Sequence, residues 1–131
     1  MRTVRILLFA VLLSNVAALI ALAQVQDLSG TWTGETLVPD SDDKDLVTLV
    51  LKKDGASYTG TVTDSMGMAN AAILEKVAVA KDALTFEFVI TTGIGETVRI
   101  RVALKISAEK LVGTWESEDG ETGALEMTRK K

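Results

Sequence analysis

The chain reads as an all-β domain, an eight-stranded antiparallel up-and-down β-barrel (a meander) behind a secretory signal peptide. Three observations carry that reading. Apolar and polar residues alternate with a period of two through most of residues 31–127, where a helix needs 3.6. Turn signals such as Asp54-Gly55, Lys81-Asp82 and Asp119-Gly120 recur between the alternating runs. Ahead of them stands an apolar leader of a different character.

The leader comes first. Arg2 and Arg5 precede apolar runs over residues 6–13 and 16–22, and Ala21 and Ala23 stand three and one positions before Gln24. Such a charged start, apolar middle and small-x-small end predict export with cleavage after Ala23. A retained membrane anchor is the competing reading of the same stretch. Cleavage leaves 108 of the 131 residues, numbers 24–131, as one domain.

Residues 31–37 form the first strand. In the second, residues 46–53, Val47, Leu49 and Leu51 share one face, and Thr48, Val50 and Lys52 share the other. Asp54-Gly55 follows, the strongest short hairpin signal. The third strand, residues 57–64, sets Tyr58, Gly60 and Val62 against Thr59, Thr61 and Thr63. Residues 70–80 are ambiguous: Ala71, Ala72, Leu74, Glu75 and Lys76 suit a helix, while Val77 and Val79 favour a strand. Leu84, Phe86, Phe88 and Ile90 make the clearest inward row, and Val98, Ile100, Val102 and Leu104 make the next. Arg99, Arg101 and Lys105 then face water, as does Glu87. Leu111, Gly113 and Trp115 form the seventh strand, and Leu125 and Met127 the eighth.

Short links between strands impose antiparallel pairing of neighbours. One-faced strands must cover that face, either by rolling into a barrel or by packing as two layers. The barrel is favoured because it removes exposed edges and because eight strands suit a small closed sheet. A β-sandwich is the runner-up.

Composition excludes several activities. The leader carries two of the 14 basic side chains, which leaves 12 against 18 acidic ones in the domain. That balance disfavours nucleic acid and anionic membrane surfaces. There is no histidine, so the commonest general base and metal ligand is absent. There is no cysteine, which fits a bacterial periplasmic or secreted protein and removes the usual lipoprotein anchor. The expectation is no enzyme, no cofactor and no metal.

Gly30-Thr31-Trp32 opens the first strand, and Gly113-Thr114-Trp115 repeats the pattern in the seventh. Each glycine lies on the same face as its tryptophan and leaves room beside the ring. The indoles are expected to plug the core, one per end, with a pocket wall as the functional alternative. Arg129 lies near the end of the last strand. If the last strand pairs with the first, its guanidinium stacks on Trp32, worth about 0.5–2 kcal/mol. Gly30, Trp32, Gly113 and Arg129 are thus the expected closure residues.

These features resemble the calycin superfamily, which includes lipocalins, fatty-acid-binding proteins and avidins. Leu28-Ser29-Gly30-Thr31-Trp32 with Tyr58-Thr59-Gly60-Thr61 is similar to the avidin pattern in particular. The resemblance implies a barrel and a small apolar ligand inside it. The polar residues that hold biotin in avidins are replaced here by Gly34, Val62 and Asp64, so biotin is not the implied ligand. Fold alone does not assign function.

Asp40, Asp42, Asp43 and Asp45 crowd within six residues. A solvated loop is the expectation, with weak calcium binding as the alternative, since the twelve-residue calcium-loop pattern is not met. Glu118, Asp119 and Glu121 read as a surface turn. Met66-Gly67-Met68 makes a soft apolar loop, either a cap on the core or a lid over a cavity. A ligand site would draw on Trp32, Tyr58, Met66, Met68, Phe88 and Trp115. Two functions follow. One is an exported, non-catalytic, lipocalin-like barrel that binds a small apolar ligand. The other is a packed structural or protein-interaction module of the bacterial cell envelope without a ligand. An apolar space of roughly 300 Å³ or more near the methionines separates them.

Overall fold

The computed structural model describes residues 26–131; the leader read over residues 1–23 lies outside the described residues. Nine strands make one antiparallel sheet. They are β1 (Gly30–Leu37), β2 (Lys44–Asp54), β3 (Ser57–Asp64), β4 (Ala72–Ile73), β5 (Glu75–Ala80), β6 (Ala83–Thr91), β7 (Thr97–Ser107), β8 (Lys110–Ser117) and β9 (Thr122–Arg129). Their spatial order is β4-β3-β2-β1-β9-β8-β7-β6-β5. β1 therefore pairs with both β2 and β9, and Trp32 stands opposite Arg129. The sheet is a nearly closed barrel, not the two packed layers of a sandwich.

The ninth strand comes from the ambiguous stretch. Residues 70–80 are extended, without helix, but split at Leu74 into β4 and β5. Ala71 and Lys76 have φ of 49° and 51°, and the β5–β6 register slips between Glu75 and Ala78. β4 pairs with β3 and β5 pairs with β6, so the chain changes partner here. The seam is stitched by isolated hydrogen bonds: from β3 to the chain around β5 run Leu74 N to Gly60 O (3.0 Å) and Ser57 Oγ to Val77 O (3.4 Å), and Thr91 N at the end of β6 donates to Met68 O of the β3–β4 loop (3.0 Å).

Glycines allow the sheet to curl this tightly. A Cβ on Gly34, Gly60 or Gly113 would overlap the backbone carbonyl of Glu126, Val50 or Ala103 on the neighbouring strand. Close strand approach, rather than room beside an indole, is what Gly113 provides.

The outward faces carry Thr59, Glu87, Arg101, Lys105, Glu116 and Glu126 on five strands. Among the described residues no helix is long and apolar enough to cross a membrane. Glu75 and Glu87 are opposite each other in register on this outer face, and Arg99 binds both. Lys76 also reaches Glu87, so Glu87 and Arg99 are partly covered rather than free in water.

One end of the barrel is solid. Leu28, Trp32, Leu51, Leu84 and Leu111 are fully buried there, near the tight turns that follow β2, β5 and β7. Arg129 caps this end. Its Cζ lies 4.4 Å from the Trp32 ring centre. Its Nη1 donates to Ser29 O (2.6 Å) and its Nη2 to Asp27 O (2.9 Å). The Trp32 indole donates to Leu28 O at 3.0 Å, and Leu28 N donates to the Tyr58 hydroxyl at 3.0 Å. The segment before β1 is thereby tied across the barrel floor, with its buried polar groups satisfied.

Candidate functional site

The opposite end encloses a cavity of about 370 Å³. It is built by carrying the inward rows of the strands past the solid floor. Val47 and Leu49 come from β2, Val62 from β3, Phe86, Phe88 and Ile90 from β6, Val98, Ile100 and Val102 from β7, and Leu125 and Met127 from β9. The mouth is ringed by Leu37 at the end of β1, the β1–β2 loop (Val38, Pro39), the β3–β4 loop (Met68, Ala69), Thr92 and the β8–β9 turn (Asp119, Glu121). Phe86 and Phe88 lie with ring centres 6.2 Å apart and form one wall.

Three of the six residues read as ligand-facing line this cavity together: Met68, Phe88 and Trp115. The other three lie elsewhere. Trp32 is sealed in the floor, and Tyr58 spends its hydroxyl on Leu28 N and on Asp27 Oδ1 (3.4 Å). Met66 turns outward from the same loop that sends Met68 inward, and it is half exposed. Of the closure residues, Trp32 and Arg129 meet in the floor, Gly113 lets β8 approach β7, and Gly30 sits beside the Arg129 guanidinium at φ 129°.

Trp115 crosses the inside of the sheet at the mouth. Its indole lies over Gly123, where a Cβ would come within 2.5 Å of Nε1. Nε1 donates to Thr36 Oγ1 at 2.8 Å, and that hydroxyl donates to Ala124 O at 2.8 Å. The ring is thus held across β8, β9 and β1 by a donor at one edge and an empty glycine position beneath it. The partner glycine of Trp115 is Gly123 on the next strand.

The polar members of the lining are those the inward rows acquire at their outer ends. Asp45 continues the row of Val47, Leu49 and Leu51. Asp64 continues that of Gly60 and Val62. Ser117 continues that of Gly113 and Trp115. Asp45 is 6% exposed and Ser117 5%. Asp45 is therefore not part of the solvated acidic loop with Asp40, Asp42 and Asp43, which remain exposed; strand β2 begins two residues earlier than the alternation suggests and carries Asp45 inside. Glu118, Asp119 and Glu121 are exposed in the β8–β9 turn, as read from the sequence, and Asp119 and Glu121 also border the mouth of the cavity. Asp45 Oδ1 accepts from Ser65 Oγ (3.2 Å) and Met66 N (3.3 Å). Asp64 Oδ1 accepts from Ala69 N at 2.7 Å. Burial first, and then the hydrogen-bonding and charge of the Asp64 carboxyl beside it, push the Asp45 carboxyl up to about 6. Asp45, Asp64 and Ser117 were all findable by extending each alternating row two residues outward.

Among the described residues no group of three or more acidic side chains is placed to hold a metal ion. No protein-family model, curated protein or solved structure matches the chain.

Proposed function

We propose that this domain is a non-catalytic binding protein of calycin type that holds one small, mainly apolar molecule inside the barrel. The observation that carries this reading is the cavity of about 370 Å³, open at one end and walled by phenylalanine, branched aliphatic and methionine side chains. Its size falls within the usual range for small-molecule sites, and such sites are apolar with a few placed polar groups. Met68 at the mouth suits a ligand of irregular shape. A packed module without a ligand accounts for the solid half of the barrel and leaves the open half unexplained. The leader over residues 1–23 makes the ligand one met outside the cytoplasm, in the periplasm or the medium of a bacterium.

The two tryptophans give a direct test, because one is sealed in the floor and the other lines the cavity. Titration with a medium-chain alcohol such as octanol should shift Trp115 emission saturably. Trp115→Phe should abolish the response and Trp32→Phe should keep it. Native mass spectrometry of protein purified from its own host should show a co-purifying small molecule. A chain that binds no apolar probe and carries no bound molecule overturns the proposal. For export, amino-terminal sequencing of protein recovered outside the cytoplasm should begin at Gln24; an intact Met1 refutes cleavage.

A further inference from the structure

The cavity is apolar along its depth, but its charged lining is all of one sign. Asp45, Asp64, Asp119 and Glu121 contribute to it, and among the described residues no lysine or arginine does. The nearest lysine in sequence, Lys44, is exposed and paired with Glu35 at 3.4 Å. Two of these acids are unlike surface carboxylates. Asp45 is 6% exposed, and only its Oδ1 is engaged, by two long hydrogen bonds. Asp64 uses Oδ1 on Ala69 N, while its Oδ2 is buried with no hydrogen-bond partner. Buried polar atoms are ordinarily paired, and an ionised oxygen without a donor is among the costliest exceptions. When both carboxyls are ionised, neither has a proton to give the other.

We infer that Asp45 and Asp64 are a head-group site, and that the ligand is an apolar molecule carrying a protonated amine, its ammonium seated against the paired Asp45 and Asp64 carboxyls and its tail lying between Phe88, Ile100 and Leu125. This rests on the binding reading above and narrows it to one ligand class. An ammonium supplies three donors and the compensating charge. A hydroxyl supplies one donor and leaves the charge unbalanced. A carboxylate head meets four acidic side chains and is repelled. A bare divalent cation is a poor occupant, because calcium takes six to eight oxygens and the cavity walls are hydrocarbon. The raised Asp45 titration agrees with this geometry, since a cation placed there relieves the same crowding of negative charge.

Three probes with the same tail and different heads make the test: octylammonium, octanol and octanoate, titrated into the purified protein at about pH 8, where the amine is charged. Trp115 emission and calorimetry give the affinities. Octylammonium should bind at least about tenfold more tightly than octanol, and octanoate most weakly. Asp64→Asn, which keeps an oxygen for Ala69 N, should cut octylammonium affinity about tenfold or more and leave octanol within about twofold. Raising the salt concentration should erode the ammonium preference only partly, because the pair is buried. Equal binding of octylammonium and octanol by the wild-type protein overturns the head-group assignment while the apolar cavity stands. So does an undiminished ammonium preference in Asp64→Asn. If no probe binds, the binding reading falls and takes the assignment with it. The comparison of probes on the wild-type chain keeps the test decisive even if the Asn variant does not fold.

Discussion

Replacing Arg129 with methionine should unfasten the floor of the barrel. The guanidinium makes charge-assisted hydrogen bonds to the carbonyls of Ser29 and Asp27 and stacks at 4.4 Å on Trp32, with its side chain 23% exposed. A hydrogen bond to a charged group contributes about 1.5–3 kcal/mol, and the stacking about 0.5–2 kcal/mol. Water can reach part of this site and solvate the freed carbonyls, and methionine retains some of the packing over the indole. The expected loss is therefore about 3 kcal/mol, below the sum of the parts. For a domain of this size that lowers the melting temperature by about 10–20 °C. Urea unfolding in a Trp115→Phe background reports on Trp32 alone, whose emission should move to longer wavelength in the native state. The ion pair with Glu109 at 2.9 Å is exposed on the glutamate side, so Glu109→Gln should change stability by less than about 0.5 kcal/mol. Arg129→Lys keeps the charge but not the fork, and should fall between wild type and Arg129→Met. A methionine variant within about 0.5 kcal/mol of wild type, with unchanged Trp32 emission, refutes the account of the floor.

Other sites carry equally definite expectations. Asp45 titrates near 6 in the folded protein against 3.8 for the ordinary carboxyl, so between those values the folded state holds more protons and stability falls as pH rises through about 4 to 6. The loss is about 1–3 kcal/mol, complete above the folded value. The charged group beside Asp45 that bears on it is Asp64 on β3, opposed by the hydrogen bonds from Met66 N and Ser65 Oγ. Asp45→Asn should flatten this fall and raise unliganded stability near pH 8; a pH–stability curve identical to wild type refutes it. Gly113→Ala forces β8 away from the Ala103 carbonyl and should cost about 1–3 kcal/mol by thermal unfolding; a neutral result means the strands do not meet as closely as described. Gly123→Val puts a side chain where the Trp115 ring lies. It should change Trp115 emission and weaken octanol binding several-fold, whereas intact emission and binding would show that the ring is not seated there.

The parts of the fold legible in the sequence are those set by local alternation. The rows of Val47 to Leu51, Leu84 to Ile90 and Val98 to Leu104 show their period of two without reference to any partner. The Trp32–Arg129 pairing was legible too, because a closed meander brings its first and last strands together. What was not legible depends on distant contacts. The break at Leu74 exists because the chain leaves β3 for β6 there, and nothing within residues 70–80 signals that change of partner. Met66 and Met68 are chemically alike, and only the loop's path turns one outward and one inward. Asp45 was hidden by its neighbours, since four aspartates in six residues look like surface until the strand register is known. Trp115 was read beside Gly113 in its own strand, while the glycine it rests on is across the sheet at Gly123.

The stitched seam has a consequence for how the molecule yields. The other strand boundaries are paired ladders, interrupted only by the β5–β6 bulge, but β3 meets β5 through isolated hydrogen bonds and the two-residue β4. Fluctuations that part the wall begin at the boundary with least to break, so amide protons of residues 72–80 should exchange with solvent well ahead of those in β7 and β8. Once parted, the wall bares backbone donors and acceptors next to Ile73, already 75% exposed. That is the place where a second chain would find a strand to extend, and at high concentration or mild heat the barrel should associate there before it unravels anywhere else.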